Sequence, residues 1–320
     1  MKKVQKIQMG ITVSKTFQEG FEEYILDCKA RNLRQGTIIH YQNSIKQIYK
    51  FFPQNMKIAD FDEKAMPQFI ISLRENPHIN DVSMGTYTRD LKTLLKFFMK
   101  CKYLPLFEVK IPHTDKEPTE IYTDEELRIL LKKPDIKSCS FAIYRSWVIV
   151  NFLLSTGIRQ NSLIHIKNKD IDFENSMVSV NVTKNRKILM IPLNEDIIKI
   201  LREYMRFRGG RADDWLFCSI YGRQLTRSSC YHAIWDYNHG RGLEKTGMHR
   251  FRHTFAKKWV TMGGSVVTLQ KILGHSSLAI TENYLNILMS DLQKDMEKIN
   301  ILKSLKREYI QMAERKDRFN

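Results

Sequence analysis

Residues 247–256 read GMHRFRHTFA, and a short way downstream residues 273–285 read LGHSSLAITENYL. In the first stretch His249 and Arg252 stand at i and i+3, which on a helix puts both side chains on one face, able to address one small anion. In the second, His275 and Tyr284 stand nine positions apart. That spacing lets a tyrosine on one helix fold back toward a histidine at the start of the preceding helix. Closer to the N-terminus, STGIRQNSL at 155–163 offers Arg159 and VTKNRKILMIPL at 182–193 offers Lys184. Each segment alone is a weak signal, since an isolated tyrosine is ordinarily a core residue. Collected in one pocket, they supply two guanidinia, one ammonium, two imidazoles and one phenol.

That inventory suits a phosphodiester. Two arginines can fork onto the non-bridging oxygens and stabilise a pentacoordinate transition state. A phenol with an ordinary pKa of about 10 becomes a usable nucleophile when dense positive charge favours the phenolate and an imidazole can take its proton. Tyr284 is the candidate attacker. A leaving alcohol needs a proton, and a lysine at the tip of a hairpin can deliver it; Lys184 is assigned that role, with Lys187 on the same hairpin as the alternative.

The surrounding sequence is mainly helical. From Thr16 to about Leu104, apolar residues recur at helical intervals: Phe17, Phe21, Tyr24, Cys28, then Ile38, Tyr41, Ile45, Ile48, Phe52. With a weaker segment at 66–73 and a strong one carrying Tyr87, Leu91, Leu94, Leu95 and Phe98, this predicts a four-helix unit over 16–104, after an N-terminal extension of 1–15. Three prolines among charged residues mark 105–118 as a linker. The second domain, 119–289, opens on a capping box at Thr123 and Glu126, and a helix from about Ser140 ends at Gly157. MVSVNV at 177–182 and KILMIPL at 187–193 alternate as strands, so a small β-hairpin sits in this otherwise helical half. Leu292, Met296, Ile299, Leu302, Leu305, Tyr309 and Met312 form a narrow apolar stripe on a C-terminal helix, 290–320. Such a stripe needs a partner, either its own catalytic domain or a neighbouring subunit.

The net charge is +17, about +6 before Pro118 and about +11 after it. Basic potential over both domains makes nucleic acid the leading partner, and the charges at Lys184, Arg186 and Lys187 fit a DNA contact beside a phosphate site. Five scattered cysteines with no CxxC spacing point away from a disulfide framework and a thiolate zinc site, and fit a reducing cytoplasm. His249 and His253 at i and i+4 lack the glutamate of a zinc helix, and two interleaved arginines would repel a cation, so no metal is expected and His253 reads as a core or supporting histidine. The lysines of MKKVQKIQMG are not followed by an apolar run, and no window approaches the roughly 18–20 apolar residues that span a bilayer, so neither export nor a membrane role is expected.

The order Arg159, Lys184, H-x-x-R at 249–252, L-G-H at 273–275 and Tyr284 resembles the tyrosine recombinase, or phage integrase, family over nearly the whole chain. The resemblance implies a helical, SAM-like core-binding domain ahead of an α+β catalytic domain, the two clamping opposite faces of double-stranded DNA. It further implies a two-domain type without an arm-binding domain, and a C-terminal helix donated between subunits. In such an enzyme Arg159, Lys184, His249, Arg252 and His275 assist while Tyr284 forms a 3′-phosphotyrosine and frees a 5′-hydroxyl, without metal, nucleotide or other cofactor. The implied assembly is a homo-oligomer on DNA, a tetramer in the synaptic complex, and accessory DNA-bending proteins are partners it admits.

Two positions depart from the family pattern. Ser162 stands three residues after the first arginine, where an acidic residue is common, so a different support for Arg159 is expected. Asn286 stands where many relatives carry a histidine. Two other functions use related parts: type IB topoisomerase-like relaxation, which needs no oligomer, and a non-catalytic DNA-binding regulator, which needs no phenol and lysine aimed at one phosphate.

Overall fold

The computed structural model describes residues 15–111, 120–181 and 188–275. The chain divides into two compact units, Met1–Glu117 and Pro118–Asn320. The expected N-terminal extension, apart from Lys15, and the stretch carrying the C-terminal helix lie outside the described residues.

In the first unit, α1 (Phe17–Ala30), α2 (Gln35–Ile48), α3 (Ala65–Arg74) and α4 (Asp81–Lys100) enclose one apolar core. α1 starts at Thr16, whose side chain caps the Glu19 N–H while the Glu19 carboxylate returns to the Thr16 N–H, satisfying two donors that the first turn leaves open. Phe17 is fully buried at the centre, edge-on to Tyr49, Phe52, Phe61 and Phe98, an arrangement that sets ring edges against ring faces.

The second unit runs α5 (Asp124–Leu131), α6 (Phe141–Thr156), α7 (Gln160–Leu163), β1 (Ile171–Asp172), β2 (Met177–Val180), β3 (Leu189–Pro192), α8 (Glu195–Arg208), α9 (Arg227–His239), α10 (Met248–Thr261) and α11 (Val266–Leu273). The unit is mainly helical with one small antiparallel sheet, as its sequence pattern predicts. α6 is its axle, apolar on all sides and packed against α5, α8, α9 and α10. The sheet order is β1-β2-β3, with Val178 opposite Ile191 and Val180 opposite Leu189. Val178, Val180 and Ile191 point into the core. The short β1, pairing Ile171 with Val178, extends the expected hairpin to three strands.

The segment leading into α5 is strapped along α10. The fully buried Tyr122 lies against Phe251 at a ring-centroid distance of 4.6 Å, its N–H donates to Thr254 Oγ1 at 3.1 Å, and its hydroxyl accepts from Asn238 Nδ2 at 2.9 Å. Glu120 pairs with Arg250 and Asp124 with Lys258. The helix carrying the H-x-x-R motif is thereby fixed on one side by the strap and on the other by α6.

Candidate active site

Two helix C-termini converge to build the site. α6 stops because Gly157 adopts the left-handed conformation (φ 60°) and its N–H closes on the Leu153 carbonyl. α11 stops in the same manner at Gly274 (φ 60°). The Gly157 and Leu273 carbonyls are thus turned out of their ladders, and each carries the partial negative charge of a helix end. Arginines occupy both. Arg252, on the second turn of α10 and buried, donates from Nη1 to the Gly157 carbonyl at 2.6 Å and from Nη2 to the Leu273 carbonyl at 2.9 Å. Arg159, the residue that starts α7 two positions past Gly157, donates from Nη1 to the same Leu273 carbonyl at 3.0 Å. One acceptor shared by two guanidinia holds those nitrogens within about 6 Å of each other. A carbonyl anchors a guanidinium without cancelling its charge.

His275 completes the cluster. Its Nε2 lies 2.8 Å from Arg252 Nη2. A guanidinium only donates, so Nε2 accepts and the ring proton belongs on Nδ1. Burial first, then the positive charges of Arg252 and Arg159, push the His275 pKa down to about 4. His275 is therefore neutral at physiological pH. It follows Gly274, the C-cap of α11, and the residues after it lie outside the described part of the chain. Its backbone N–H closes on the Gln270 carbonyl at 3.1 Å, so the cap that stops the helix also fixes the histidine.

His249 lies on α10 one turn before Arg252, and its pKa is lowered by desolvation and by Arg252 and Arg159. Desolvation and the two guanidinia act in the same direction, and the solvent exposure of the residue moderates the shift. His253 is half-buried and also shifted down, chiefly by burial. Among the described residues no cluster of histidine, cysteine and carboxylate side chains is disposed to hold a metal ion. Ser162, at the position where an acidic residue is the common pattern, is buried in α7.

Of the six candidates, Arg159, Arg252 and His275 are joined by the Leu273 carbonyl and the Arg252–His275 contact, and His249 lies on the face of α10 that carries Arg252. Lys184, with its alternative Lys187, and Tyr284 lie outside the described residues, as does Asn286. The motif pattern does not single out the carbonyls of Gly157 and Leu273 as anchors. Their signal is the glycine at or just after each position, which marks a helix end and hence free carbonyls.

The phage integrase family matches residues 113–291. A tyrosine recombinase of Pseudothermotoga lettingae is 25% identical over 300 residues, covering 91% of this chain and 98% of its own. The tyrosine recombinase XerD of Staphylococcus haemolyticus is 26% identical over 285 residues, covering 85% and 95%. Among solved structures, the Tn1549 transposon integrase in complex with transposon right end DNA aligns with a TM-score of 0.72 at 18% identity, over 89% of this chain and 100% of that one. A lambda integrase dimer bound to a core site aligns with a TM-score of 0.67 at 18% identity, over 83% and 97%. The family match takes in more than half of the 320 residues and every segment that meets in the pocket, and the chain therefore belongs to the phage integrase family of tyrosine recombinases, site-specific recombining enzymes.

Proposed function

We propose that this recombinase cuts and rejoins one strand of double-stranded DNA at a time through a phosphotyrosine on Tyr284. The observation that carries the proposal is the sharing of the Leu273 carbonyl by Arg159 and Arg252, which sets two guanidinia side by side at a half-buried site. In the proposed reaction Tyr284 Oη attacks phosphorus, its proton passing to a neighbouring imidazole, with His249 the candidate. The bond from phosphorus to the 5′ oxygen breaks, leaving a 3′-phosphotyrosine, and the 5′ oxygen leaves as a hydroxyl with a proton from Lys184. Arg159 and Arg252 bind the non-bridging oxygens as charge builds in the pentacoordinate state. Neutral His275 offers its Nδ1–H as a further donor while Arg252 holds its Nε2. Attack by a 5′-hydroxyl from a second duplex reverses the steps and exchanges strands, so no high-energy cofactor is consumed.

The relatives support DNA as the substrate and an oligomer as the working form. The solved neighbours include integrases complexed with DNA, among them a lambda integrase tetramer bound to a Holliday junction. By analogy we propose that this chain assembles on two DNA sites, with the first unit as the core-binding domain over 16–104, a linker over 105–118, and the C-terminal segment 290–320 joining neighbouring subunits.

The test is incubation without metal on nicked duplexes carrying candidate sites, followed by denaturing electrophoresis. A covalent protein–DNA band with wild type and none with Tyr284→Phe is the expected result. Tight, site-dependent binding with no band from either protein would mean a non-catalytic regulator. A band surviving in the variant would mean a different nucleophile.

A further inference from the structure

Between the sheet and α10, the chain from Trp215 to Trp235 contains no aspartate or glutamate, although the protein carries 35 of them in 320 residues. Within this acid-free run a tight turn projects Ile220 and Tyr221, whose surfaces are 63% and 81% exposed. The turn is not slack. Cys218 and Gln224 bridge its base as antiparallel partners, the Ser219 N–H donates to the Arg223 carbonyl at 2.8 Å, and the Gly222 N–H donates to the Ser219 carbonyl at 3.0 Å. Ser219 Oγ accepts from the N–H groups of Tyr221 at 3.3 Å and Arg223 at 3.2 Å. Gly222 takes the left-handed conformation (φ 74°) that the reversal requires. A rigid tip that exposes a tyrosine and an isoleucine is contributing nothing to the core, and its neighbours Arg223 and Arg227 are exposed as well.

The turn is tied to the phosphate site. Gln224 Nε2 donates to the Ile164 carbonyl at 3.0 Å, Gln160 Nε2 donates to the Arg227 carbonyl at 2.8 Å, and Arg227 Nε donates to Asn161 Oδ1 at 3.0 Å. These bridges fasten both ends of the segment following the tip to α7, the helix that Arg159 begins. One short helix, one side-chain bridge and three residues separate Tyr221 from Arg159, a path of at most about 30 Å, or some nine base steps of duplex.

We propose that the turn Ser219–Arg223 is a DNA-contacting finger: Tyr221 lays its ring on a sugar or base of a nucleotide flanking the phosphate bound by Arg159 and Arg252, while Arg223 pairs with a backbone phosphate. This rests on the reading of the chain as a DNA-cutting enzyme, and it adds a nonionic contact to an interaction otherwise dominated by charge. A ring held by a rigid turn loses little entropy on binding, and contact with a sugar or base face tolerates any sequence. The two halves of the finger differ in salt dependence, because only the arginine releases counterions.

The experiment is fluorescence anisotropy of a labelled duplex of mixed sequence over a salt series, with wild type, Tyr221→Ala, Tyr221→Phe and Arg223→Gln. Expected are a loss of about ten-fold for Tyr221→Ala at every salt concentration, with an unchanged slope, and near-wild-type affinity for Tyr221→Phe. Arg223→Gln should flatten the slope of log affinity against log salt by about one. Affinity of Tyr221→Ala within about two-fold of wild type, or a loss that Tyr221→Phe shares, would overturn the ring contact. Because binding is read without cleavage, failure of the finger is distinct from failure of the phosphotyrosine reading, which the Tyr284→Phe gel decides.

Discussion

Arg252 and His275 are joined by a single hydrogen bond, Nη2 to Nε2 at 2.8 Å, and its polarity fixes the chemistry of the histidine. The guanidinium has no lone pair to offer, so the imidazole accepts on Nε2, carries its proton on Nδ1 and resists a second proton down to about pH 4. Nitrogen NMR of ring-labelled protein should show His275 as the Nδ1–H tautomer at pH 7, with no titration between pH 7 and 5. Arg252→Gln removes one neighbouring positive charge, and the His275 midpoint should then rise. A midpoint near 6.5 in wild type would mean that the contact does not persist in solution.

The same depressed pKa makes stability depend on pH. Above about 6.5 the imidazole is neutral in both the folded and the unfolded chain. As pH falls from 6.5 toward 4, the unfolded chain takes up the proton first, so the stability present at neutral pH is lost across that window. His249 and His253 are shifted in the same direction and add to the loss. The partial exposure of His275 screens its share to about 1–2 kcal/mol. Urea unfolding at pH 7 and pH 4.5 should show the difference, and His275→Gln should shrink it; equal losses in wild type and variant would assign the effect to other groups.

Arg252 is held by two carbonyls and an imidazole at once, a geometry that the planar fork of a guanidinium matches and a single ammonium does not. Arg252→Lys keeps the charge but must abandon at least one buried carbonyl. Covalent adduct formation should fall about 10²- to 10³-fold, while duplex affinity, carried by many other cations, changes little. Arg159→Lys should lose less stability, because Arg159 is half-buried and donates to a carbonyl that Arg252 also serves. Equal adduct yield from Arg252→Lys would remove it from the reacting centre.

Much of this site is legible in the sequence because its parts are local. Thr123 and Glu126 announce a capping box within four residues, and the box is present, with the Thr123 N–H on Glu126 Oε2 at 2.8 Å. Gly157 announces the end of α6, and the order of Arg159, H-x-x-R and L-G-H carries the family. What the sequence hides is either too short or has no side chain to read. β1 is two residues long and exists because Ile171 finds Val178, a pairing that no period within two residues can reveal. The Leu273 carbonyl is a backbone group, and its role emerges only where two arginines from distant segments share it. Gly274 announces the end of α11 just before His275, a local signal that the structure bears out.

Gly157 combines two demands that no other residue meets. Its φ of 60° suits glycine, and a Cβ there would stand 2.4 Å from Phe255 Cδ1 and 2.8 Å from Leu273 Cδ2. Those neighbours belong to α10 and α11, the elements that carry Arg252 and precede His275. Gly157→Ala should therefore cost about 2–4 kcal/mol from left-handed strain and overpacking together. By moving the carbonyl that Arg252 grips, it should lower adduct formation even in the fraction that remains folded. Thermal unfolding and adduct yield at a temperature well below the transition check the two effects separately. Unchanged stability would show that α10 and α11 yield easily at this contact.

Thr254 offers a test of the strap on the far side of the catalytic helix. It is fully buried, its hydroxyl donates to the Arg250 carbonyl at 2.8 Å, and the same oxygen accepts from the Tyr122 N–H at 3.1 Å. Thr254→Val preserves shape and leaves the Tyr122 amide without its acceptor in an apolar setting, a penalty of about 1–3 kcal/mol. Thr254→Ser keeps the hydroxyl and should recover most of it, apart from the small cavity left by the methyl group. Hydrogen exchange gives the sharper readout, since the Tyr122 amide is protected by Thr254 and should exchange faster in the valine variant while amides in the α6 core keep their order. If Val and Ser variants lose stability equally, packing of the methyl group rather than the hydrogen bond ties the strap to α10.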